Sequence, residues 1–339
     1  MYHWLRHGFF RLEPEKAHDL AMASLDIGAR TGLLKTLYPK PDDCPVDCLG
    51  LHFKNPVGLA AGLDKDGDHL DALGALGFGF IEVGTVTPKP QPGNEQPRMF
   101  RLEEHGALIN RMGFNNKGVD HLVENLKKRR YKGIVGANVG KQKDTPIEDA
   151  AADYAICIEK VFPHCDYITI NISSPNTKNL RALQDQGHLS ELLSALVDLR
   201  NSLSHEHHTT RPLLIKIAPD WKETALVQAL ETIGDSGIDG VIATNTTLDR
   251  ALVKGHPLAH EVGGLSGQPV RSAANHVLSV ARRVLGSDFP LVGVGGISSG
   301  EDAVEKKRLG ADLVQIYTGL IYEGPGLIKQ CVAAWPQTN

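Results

Sequence analysis

Several strongly apolar segments of the sequence end in polar side chains that could carry out chemistry on a ligand. The stretch "YITINISSPNTKNLR" (167–181) begins with large apolar residues and ends in hydroxyls and amides, among them Asn171, Ser174 and Asn176. A serine hydroxyl can take part in proton transfer only when neighbouring groups assist it. This stretch is therefore a candidate proton-transfer site.

Asparagines recur at comparable positions. Asn138 and Asn245 also lie at the ends of apolar segments, and Asn110 lies in a loop. A single buried asparagine usually serves backbone groups, but amides offer paired donors and acceptors. Five of them around one site suit a planar heterocycle with alternating N–H and C=O groups, and Lys65 could bind a carboxylate on such a ligand.

Lys216 lies inside the apolar segment "LLIKIAP" (213–219). Burying a charged lysine costs free energy, so the side chain needs either a nearby anion or a lowered pKa. A lysine with a lowered pKa can act as a nucleophile in covalent catalysis. Two functions fit: stabilising negative charge on a bound cofactor, or forming a Schiff base as barrel aldolases do. The residue alone leaves both open.

Eight short segments rich in Val, Ile and Gly must position these side chains. They span residues 56–62, 80–86, 133–140, 167–173, 213–219, 240–246, 291–297 and 313–319. Apolar segments that alternate with helical segments indicate a parallel sheet, and a count of eight predicts a closed (β/α)₈ TIM barrel. An open doubly wound sheet is the alternative, but no G-x-G-x-x-G follows the first strand.

Two of the intervening segments carry helix signals. Thr145, Pro146 and Glu148 predict a capping box at the start of one helix, and a second helix is expected from Ser299 to Gly310. In a TIM barrel, the carboxyl ends of the strands converge on one mouth, where the enzymes that have this fold carry their active sites. The polar strand ends are therefore expected to meet there.

The segments "GVGGI" and "QIYTG" form the predicted strands seven and eight. Loops after these strands often bind phosphate through backbone N–H groups, and Gly295 and Gly296 permit a close approach. A phosphate site is predicted, with a tight turn that binds nothing as the alternative.

Bulk composition excludes several classes of protein. The formal net charge of −4 argues against general nucleic-acid binding, and no stretch of eighteen apolar residues is present. The five cysteines form no C-x-x-C pair, so we expect neither a disulfide framework nor a metal site, in a reducing cytosol. The first ten residues lack the features of a signal peptide.

The first forty residues differ from the rest of the chain. Their pattern predicts two short helices, the first of which begins near Pro14. The same residues include six basic and four acidic side chains. Composition alone favours a helical cap packed on the barrel, and an interfacial helix pair on a membrane surface is the alternative.

The motifs "GLAAGLDKDG", "EVGTVTPKPQPGNEQPRMFRL", "LINRMGFNN", "NISSPNTKNLR", "KIAPD", "GVIATNTT", "GGLSG", "GVGGI" and "LVQIYTG" occur in this order. The chain thereby resembles the dihydroorotate dehydrogenase family, in particular its membrane-associated, quinone-dependent class 2, from about residue 40 to the end. The resemblance implies an FMN-containing barrel that oxidises dihydroorotate to orotate in pyrimidine synthesis, with a membrane quinone as the electron acceptor.

Carried over by motif, the resemblance also implies the binding residues. The FMN site would comprise Ala61, Gly62, Leu63, Asp64, Lys65, Thr85, Asn138, Asn171, Lys216, Thr244, Gly267, Gly296, Tyr317 and Thr318. The dihydroorotate site would comprise Lys65, Asn110, Arg111, Met112, Gly113, Phe114, Asn171, Asn176, Asn245 and Thr246.

The resemblance assigns Ser174 as the base that removes the C5 proton while hydride leaves C6 for flavin N5. The soluble, fumarate- or NAD-linked classes carry cysteine at that position, whereas the nearest cysteine here, Cys165, precedes the strand. Our hypothesis is that Thr177 and a water carry the proton onward, while Lys65 and the asparagines stabilise developing charge. Lys216 would be the cation beside the flavin N1–C2=O edge.

The resemblance reverses the interpretation of the first forty residues. Residues 1–40 are now expected to form a helical membrane and quinone-access segment, and residues 41–339 the FMN-binding barrel. This implies a monomeric protein held peripherally on the cytoplasmic face of the inner cell membrane. A fumarate-linked enzyme, a Schiff-base aldolase and a non-catalytic flavin- or membrane-binding scaffold remain as alternatives.

Overall fold

The computed structural model describes residues 2–177 and 180–336. Lys178 and Asn179 of the "NISSPNTKNLR" motif, the first residue of the first predicted domain and the last three residues of the second therefore lie outside the described residues. The helices are α1 (Tyr2–Phe10), α2 (Pro14–Thr31), α3 (Leu33–Leu37), α4 (Leu70–Gly74), α5 (Val119–Lys128), α6 (Ala150–Val161), α7 (Gln186–His207), α8 (Glu223–Asp235), α9 (Arg271–Leu285), α10 (Gly300–Arg308), α11 (Thr318–Glu323) and α12 (Gly326–Ala334). The strands are β1 (Val46–Cys48), β2 (Leu51–Phe53), β3 (Val57–Leu59), β4 (Phe80–Val86), β5 (Met99–Leu102), β6 (Ala107–Asn110), β7 (Ile134–Val139), β8 (Tyr167–Asn171), β9 (Leu213–Ile217), β10 (Gly240–Ala243), β11 (Gly264–Gly267), β12 (Leu291–Val294) and β13 (Leu313–Ile316).

A closed barrel of parallel strands forms the body of the molecule, in the order β3, β4, β7, β8, β9, β10, β12 and β13. The barrel closes where Val314 of β13 pairs with Val57 of β3. Each of its strands lies within one of the eight predicted segments, so the predicted (β/α)₈ TIM barrel with an N-terminal helical extension is confirmed.

Two small antiparallel sheets accompany the barrel and were not predicted. Strands β1 and β2 form a hairpin, and β5, β6 and β11 form a three-stranded sheet. The second sheet matters for the site, because β6 ends at Asn110 and β11 ends at Gly267, two of the predicted binding residues.

Alternating residues along the barrel strands point into its interior. The floor of the interior is an apolar cluster that includes Phe80, Tyr167, Leu214, Ile242 and Leu313. Two residues further along their strands, Glu82, Thr169, Lys216 and Gln315 are buried polar side chains. The barrel therefore has an apolar base and a polar layer directly beneath the mouth.

The predicted capping box at Thr145 is wrong. Helix α6 begins at Ala150, and Asp149 is its N-cap residue. The buried Lys141 amino group donates hydrogen bonds to the backbone oxygens of Gln142 and Thr145, which holds the segment before α6 in a loop. The other signal is confirmed, because Ser299 caps α10 by accepting a hydrogen bond from the Asp302 N–H at 3.2 Å.

The N-terminal segment contains one more helix than expected. Helices α2 and α3 were predicted, whereas α1 was not. Tyr2 Oη donates to the Ile321 backbone oxygen at 2.7 Å, and Arg98 forms a 2.8 Å ion pair with Glu15 of α2. Arg101 donates to the backbone oxygen of Leu12 at 2.8 Å. These contacts attach the helices to β5 and α11, beside the barrel mouth.

Among the described residues, every helix is too short or too polar to cross a membrane.

Candidate active site

A cavity opens at the carboxyl ends of the barrel strands and holds about 1050 Å³, including its solvent-open mouth. It contains most of the residues predicted to bind ligands. These are Ala61, Gly62, Lys65, Thr85, Asn110, Met112, Gly113, Phe114, Asn171, Ser174, Asn176, Lys216, Thr244, Asn245, Thr246, Gly267, Gly296, Tyr317 and Thr318.

Within the described part of the chain, four predicted residues do not line this cavity. Leu63 is buried in the core, and the Asp64 carboxylate accepts hydrogen bonds from the backbone N–H groups of Asp68 and His69. Arg111 turns outward, where its guanidinium pairs with Glu261 at 2.6 Å. The fourth, Asn138, lies fully buried beneath the lining residues. These side chains support the cavity wall.

Ser174 lies just after the end of β8 and is nearly buried in the cavity wall, with 6% of its surface exposed. Its Oγ accepts a 3.3 Å hydrogen bond from the Asn176 N–H. Within the described residues, no histidine or carboxylate forms a hydrogen bond with this hydroxyl. Cys165 is fully buried before β8, away from the strand ends, and burial raises the pKa of its thiol to about 12.

A continuous chain of amides and hydroxyls connects the strand ends. The Asn171 amide donates to Thr85 Oγ1 at 3.0 Å and to Asn138 Oδ1 at 3.2 Å. Asn245 donates to Ser173 Oγ at 2.9 Å, and the Ser173 hydroxyl donates to Asn171 Oδ1 at 3.1 Å. Three of the predicted asparagines therefore belong to one hydrogen-bonded network, and Asn171 and Asn245 face the cavity.

The remaining two asparagines meet across the opposite side of the cavity. Asn176 donates to Asn110 Oδ1 at 3.2 Å, which connects the loop after β8 to the end of β6. The segment from Met112 to Phe114 follows directly and also lines the cavity. This side of the site is therefore built from loops.

Two lysines bring positive charge to the cavity. Lys216 projects from β9 and is 5% exposed, and burial lowers the pKa of its amino group, while Glu82 opposes that shift. Burial likewise lowers the pKa of Lys65, and Asp66 opposes it. Within the described residues, neither amino group forms an ion pair with a carboxylate. Both are positioned to compensate negative charge on a ligand.

Close turns of the backbone border the cavity on the side of β11, β12 and β13. Gly267, Gly295 and Gly296 line the cavity, and all three have positive φ angles that favour glycine. Thr318 begins α11 and donates to Ser266 Oγ at 2.8 Å. Backbone N–H groups and hydroxyls in such turns suit a phosphate group.

Sequence reasoning missed several lining residues, notably Gln315 and Ser266, and the supporting residue Glu82. Glu82 and Gln315 are fully buried polar side chains inside apolar strands. The signal that drew attention to Lys216, a polar residue inside an apolar strand, would have found both of them. Ser266 lies within the quoted "GGLSG" motif, from which only Gly267 was selected.

The residues present fit a phosphorylated flavin. Thr246 and Gln315 line the cavity, and their side-chain oxygens, Thr246 Oγ1 and Gln315 Oε1, are buried and have no hydrogen-bond partner within the described residues. A ligand group could supply the missing hydrogen bonds, because a buried polar atom without a partner costs free energy. Amides for a planar heterocycle, a buried cation and glycine turns for phosphate together match the chemical parts of FMN.

Comparisons with known proteins indicate the family to which the chain belongs. The model of the family described as dihydroorotate dehydrogenase matches residues 44–336. A relative named dihydroorotate dehydrogenase (quinone) from Marinobacter nauticus is 54% identical over 334 residues, covering 98% of each chain. A protein of the same name from Burkholderia cenocepacia is 55% identical over 334 residues, covering 98% of this chain and 97% of its own.

Solved structures are similar over nearly the whole chain. The crystal structure of DHODH in complex with ferulenol from Eimeria tenella has a TM-score of 0.86 and 36% identity, and the match covers 95% of this chain and 90% of that one. The ligand-free structure of the same protein gives a TM-score of 0.85. The family model and these similarities together establish that the chain belongs to the dihydroorotate dehydrogenase family.

Proposed function

We propose that the chain is a quinone-dependent dihydroorotate dehydrogenase, which oxidises (S)-dihydroorotate to orotate in pyrimidine synthesis. The observation that carries this proposal is one cavity that combines Ser174, buried Lys216 and a wall of amides at the barrel mouth. The relatives named dihydroorotate dehydrogenase (quinone) support the same activity. The Eimeria similarity supports the fold that carries it.

FMN is the proposed cofactor, and when bound it supplies the hydride acceptor for the reaction. Lys216 would hold the polar edge of the ring, where its charge stabilises negative charge. The turns at Gly267 and Gly296, with the Thr318 hydroxyl, would bind the phosphate. Thr85 and Asn171, which a 3.0 Å hydrogen bond joins, would also contact the ring. Asn138 supports both of them from below.

Gly296→Ala should weaken FMN binding by at least about tenfold, because the phosphate turn cannot keep its shape. The φ angle of Gly296 is 77°, and an added Cβ would approach the Arg271 Cα to 2.6 Å. Fluorescence titration of the stripped protein with FMN measures the effect. Gly286→Ala is the matched control, since Gly286 has a φ of 85° but faces open space. Equal FMN affinity in the two variants would contradict the assignment of the turn.

Dihydroorotate would bind above the flavin, between the amide wall and the loop side of the cavity. Its carboxylate suits the Lys65 amino group, and its ring N–H and C=O groups suit Asn110, Asn176 and Asn245. Thr246 Oγ1, which is buried without a partner in the described residues, is one further group that a substrate could satisfy. Met112 to Phe114 would shape the cavity around the ring.

Ser174 is the proposed base for the C5 proton. Its exposure to the cavity and its small size allow it to approach a substrate carbon directly. Thr177 Oγ1 is buried and has no partner within the described residues, so it is suited to hold a water that takes the proton onward. Positive charge from Lys65 favours the developing negative charge of the substrate.

Residues 1–40 form the proposed route for quinone. The three N-terminal helices and the turn between the first two leave large apolar side chains exposed, namely Trp4, Leu5, Leu12, Leu20, Ile27, Leu33 and Leu37. Helix α2 packs beside the barrel mouth, where Glu15 pairs with Arg98 at 2.8 Å. Burial and, to a smaller extent, the charge of Lys65 lower the pKa of His18 on this helix to about 4. A monomer held peripherally on the cytoplasmic face of the inner membrane by this apolar face would deliver electrons to a bilayer quinone.

Acceptor specificity tests the proposal directly. The purified protein should form orotate from dihydroorotate when a ubiquinone analogue is present, and should form none when fumarate replaces it. Turnover with fumarate would move the protein to the soluble class. A colourless protein that borohydride traps with a carbonyl substrate would instead support the aldolase, with Lys216 as its Schiff-base lysine.

A further inference from the structure

The carboxylate of Glu82 lies at the centre of the polar layer beneath the cavity. Glu82 is 0% exposed and projects from β4 directly above the apolar floor. Its Oε1 accepts from the Asn138 amide at 2.8 Å. Its Oε2 accepts from the Gln315 amide at 2.8 Å, Tyr167 Oη at 3.0 Å and Thr169 Oγ1 at 3.2 Å. Donors from three other strands therefore converge on one group.

An amide side chain has two ends of nearly equal shape but opposite hydrogen-bonding character. A carboxylate accepts hydrogen bonds only, so the end of Asn138 that faces Glu82 must be its NH₂ group. Asn138 Oδ1 then faces upward, where it accepts from Thr85 and Asn171. Asn171 in turn presents its own oxygen to Ser173 and Asn245. The direction of the whole amide network follows from the charge at its base.

Gln315 is oriented in the same way on the other side of Glu82. Its NH₂ group is held by the carboxylate, so its Oε1 faces away from Glu82. That oxygen is buried and has no partner within the described residues, and Gln315 lines the cavity. Glu82 therefore fixes which end of the Gln315 amide faces away from the carboxylate, and that end is an acceptor rather than a donor.

We propose that Glu82 is a positioning residue that sets the hydrogen-bonding direction of the cavity amides, through Asn138 on one side and through Gln315 on the other. This inference rests on the proposed function, because the ligands to which the amides would form hydrogen bonds are FMN and its substrate. Glu82 itself does not line the cavity, so its effect on the hydrogen bonds to ligands is transmitted by these two residues.

Glu82→Gln keeps the shape of the side chain and introduces a donor at one of its two ends. If the new NH₂ group faces Asn138, that amide must reverse. If it faces Gln315, Tyr167 and Thr169, the two hydroxyls can rotate to accept, and Gln315 must reverse. Either outcome reverses one of the two amides that Glu82 orients, Asn138 or Gln315, and we expect the FMN dissociation constant to rise by about tenfold to a hundredfold.

Two further variants separate the effect of amide orientation on FMN binding from the effect of altered side-chain packing. Tyr167→Phe removes one donor to Glu82 but reverses no amide, so FMN affinity should stay within about twofold of wild type. The double variant Glu82→Gln, Asn138→Asp moves the acceptor-only group to position 138. The carboxylate introduced there would accept from the new amide at position 82 below and from Thr85 and Asn171 above, which restores the original direction. At least about tenfold of the lost affinity should return.

FMN affinity is measured by fluorescence titration of the stripped full-length proteins, at acidic and at alkaline pH. Glu82 also opposes the lowered pKa of Lys216, so a second effect of the substitution must be separated. A reversed amide weakens binding at every pH, whereas a neutral Lys216 weakens it increasingly as the pH rises. A weakened Glu82→Gln variant with recovery in the double variant supports the proposal. Wild-type affinity in Glu82→Gln, or no recovery, overturns it.

Neutron diffraction of wild-type and Glu82→Gln crystals without FMN gives a readout that is independent of the cofactor. The deuterium positions on Asn138 and Gln315 should show one amide reversed in the variant. Two unchanged amides would overturn the role of Glu82. A wild-type protein that binds no FMN would overturn the proposed function, while the neutron structures would still decide the role of Glu82.

Discussion

Ser174→Ala should lower the rate of flavin reduction by dihydroorotate by about a hundredfold to ten-thousandfold, the range expected when a general base is removed. The hydroxyl lies in the cavity wall, and within the described residues no histidine or carboxylate bonds to it that could replace it. FMN should stay bound, because Ser174 belongs to the substrate side of the site. Anaerobic stopped-flow absorbance of the flavin measures the rate.

Two comparisons make this result specific. Ser202→Ala removes a hydroxyl from the exposed face of α7, where it bonds only to the Asp198 backbone oxygen, and should leave the rate unchanged. Ser174→Cys introduces a thiol with a much lower intrinsic pKa than a hydroxyl, so it should retain part of the activity and gain a pH dependence from that thiol. Wild-type flavin reduction in Ser174→Ala would show that another group takes the proton.

Removal of residues 1–40 should reduce quinone turnover to background while dihydroorotate still reduces the flavin. The truncation deletes the apolar face of α1 to α3 but leaves the barrel strands and their cavity intact. It also removes Glu15, the ion-pair partner of Arg98, so the fold of the truncated protein is checked by circular dichroism and FMN content. Steady-state assays with a ubiquinone analogue and single-turnover flavin reduction measure the two half-reactions.

A full-length variant tests the same segment without deletion. Trp4→Glu combined with Ile27→Glu adds charge at side chains that are 85% and 63% exposed, so folding should be unaffected. Turnover with quinone embedded in liposomes should fall strongly, whereas flavin reduction should stay as in wild type. Full quinone turnover by a folded protein that lacks residues 1–40 would refute the role of the segment.

The barrel could be predicted because its strands are buried on both faces. Each of the eight parallel strands appears in the sequence as a short, mostly apolar run, as expected for strands that are covered on both faces. Strand β5 was missed because three of its four residues are only partly buried. Strand β11 was missed because it pairs with β6 across more than 150 positions, as Gly264 does with Asn110. The sequence around each strand gives no indication of a pairing over such a distance along the chain.

The start of α6 shows how a tertiary contact overrides a local signal. Thr145, Pro146 and Glu148 form a good capping sequence, yet the Lys141 amino group binds the Thr145 backbone oxygen and holds the segment as a loop. The polar run "HEHH" at 205–208 shows the same effect, because α7 continues through His207 while apolar residues of the helix pack in the core.

The site was predictable where a residue type was unusual for its surroundings. Lys216, Asn171 and Ser174 stand out in or beside apolar strands, and the structure brings all three to one cavity. Asn138 was selected as an amide at a strand end and Arg111 by motif, and only the structure separates the side chains that face the cavity from those that support it. The role of Glu82 depends on Gln315, which lies 233 positions away, so no local pattern could reveal it.

An anaerobic titration of the purified protein, followed in the flavin absorbance band, tests the central claim most directly. Dihydroorotate is added first, and a ubiquinone analogue is then added to the same cuvette. We predict that the flavin band bleaches with dihydroorotate and recovers with quinone. Bleaching that quinone fails to reverse would contradict the proposed acceptor, and a flavin band unchanged by dihydroorotate would contradict the proposed substrate.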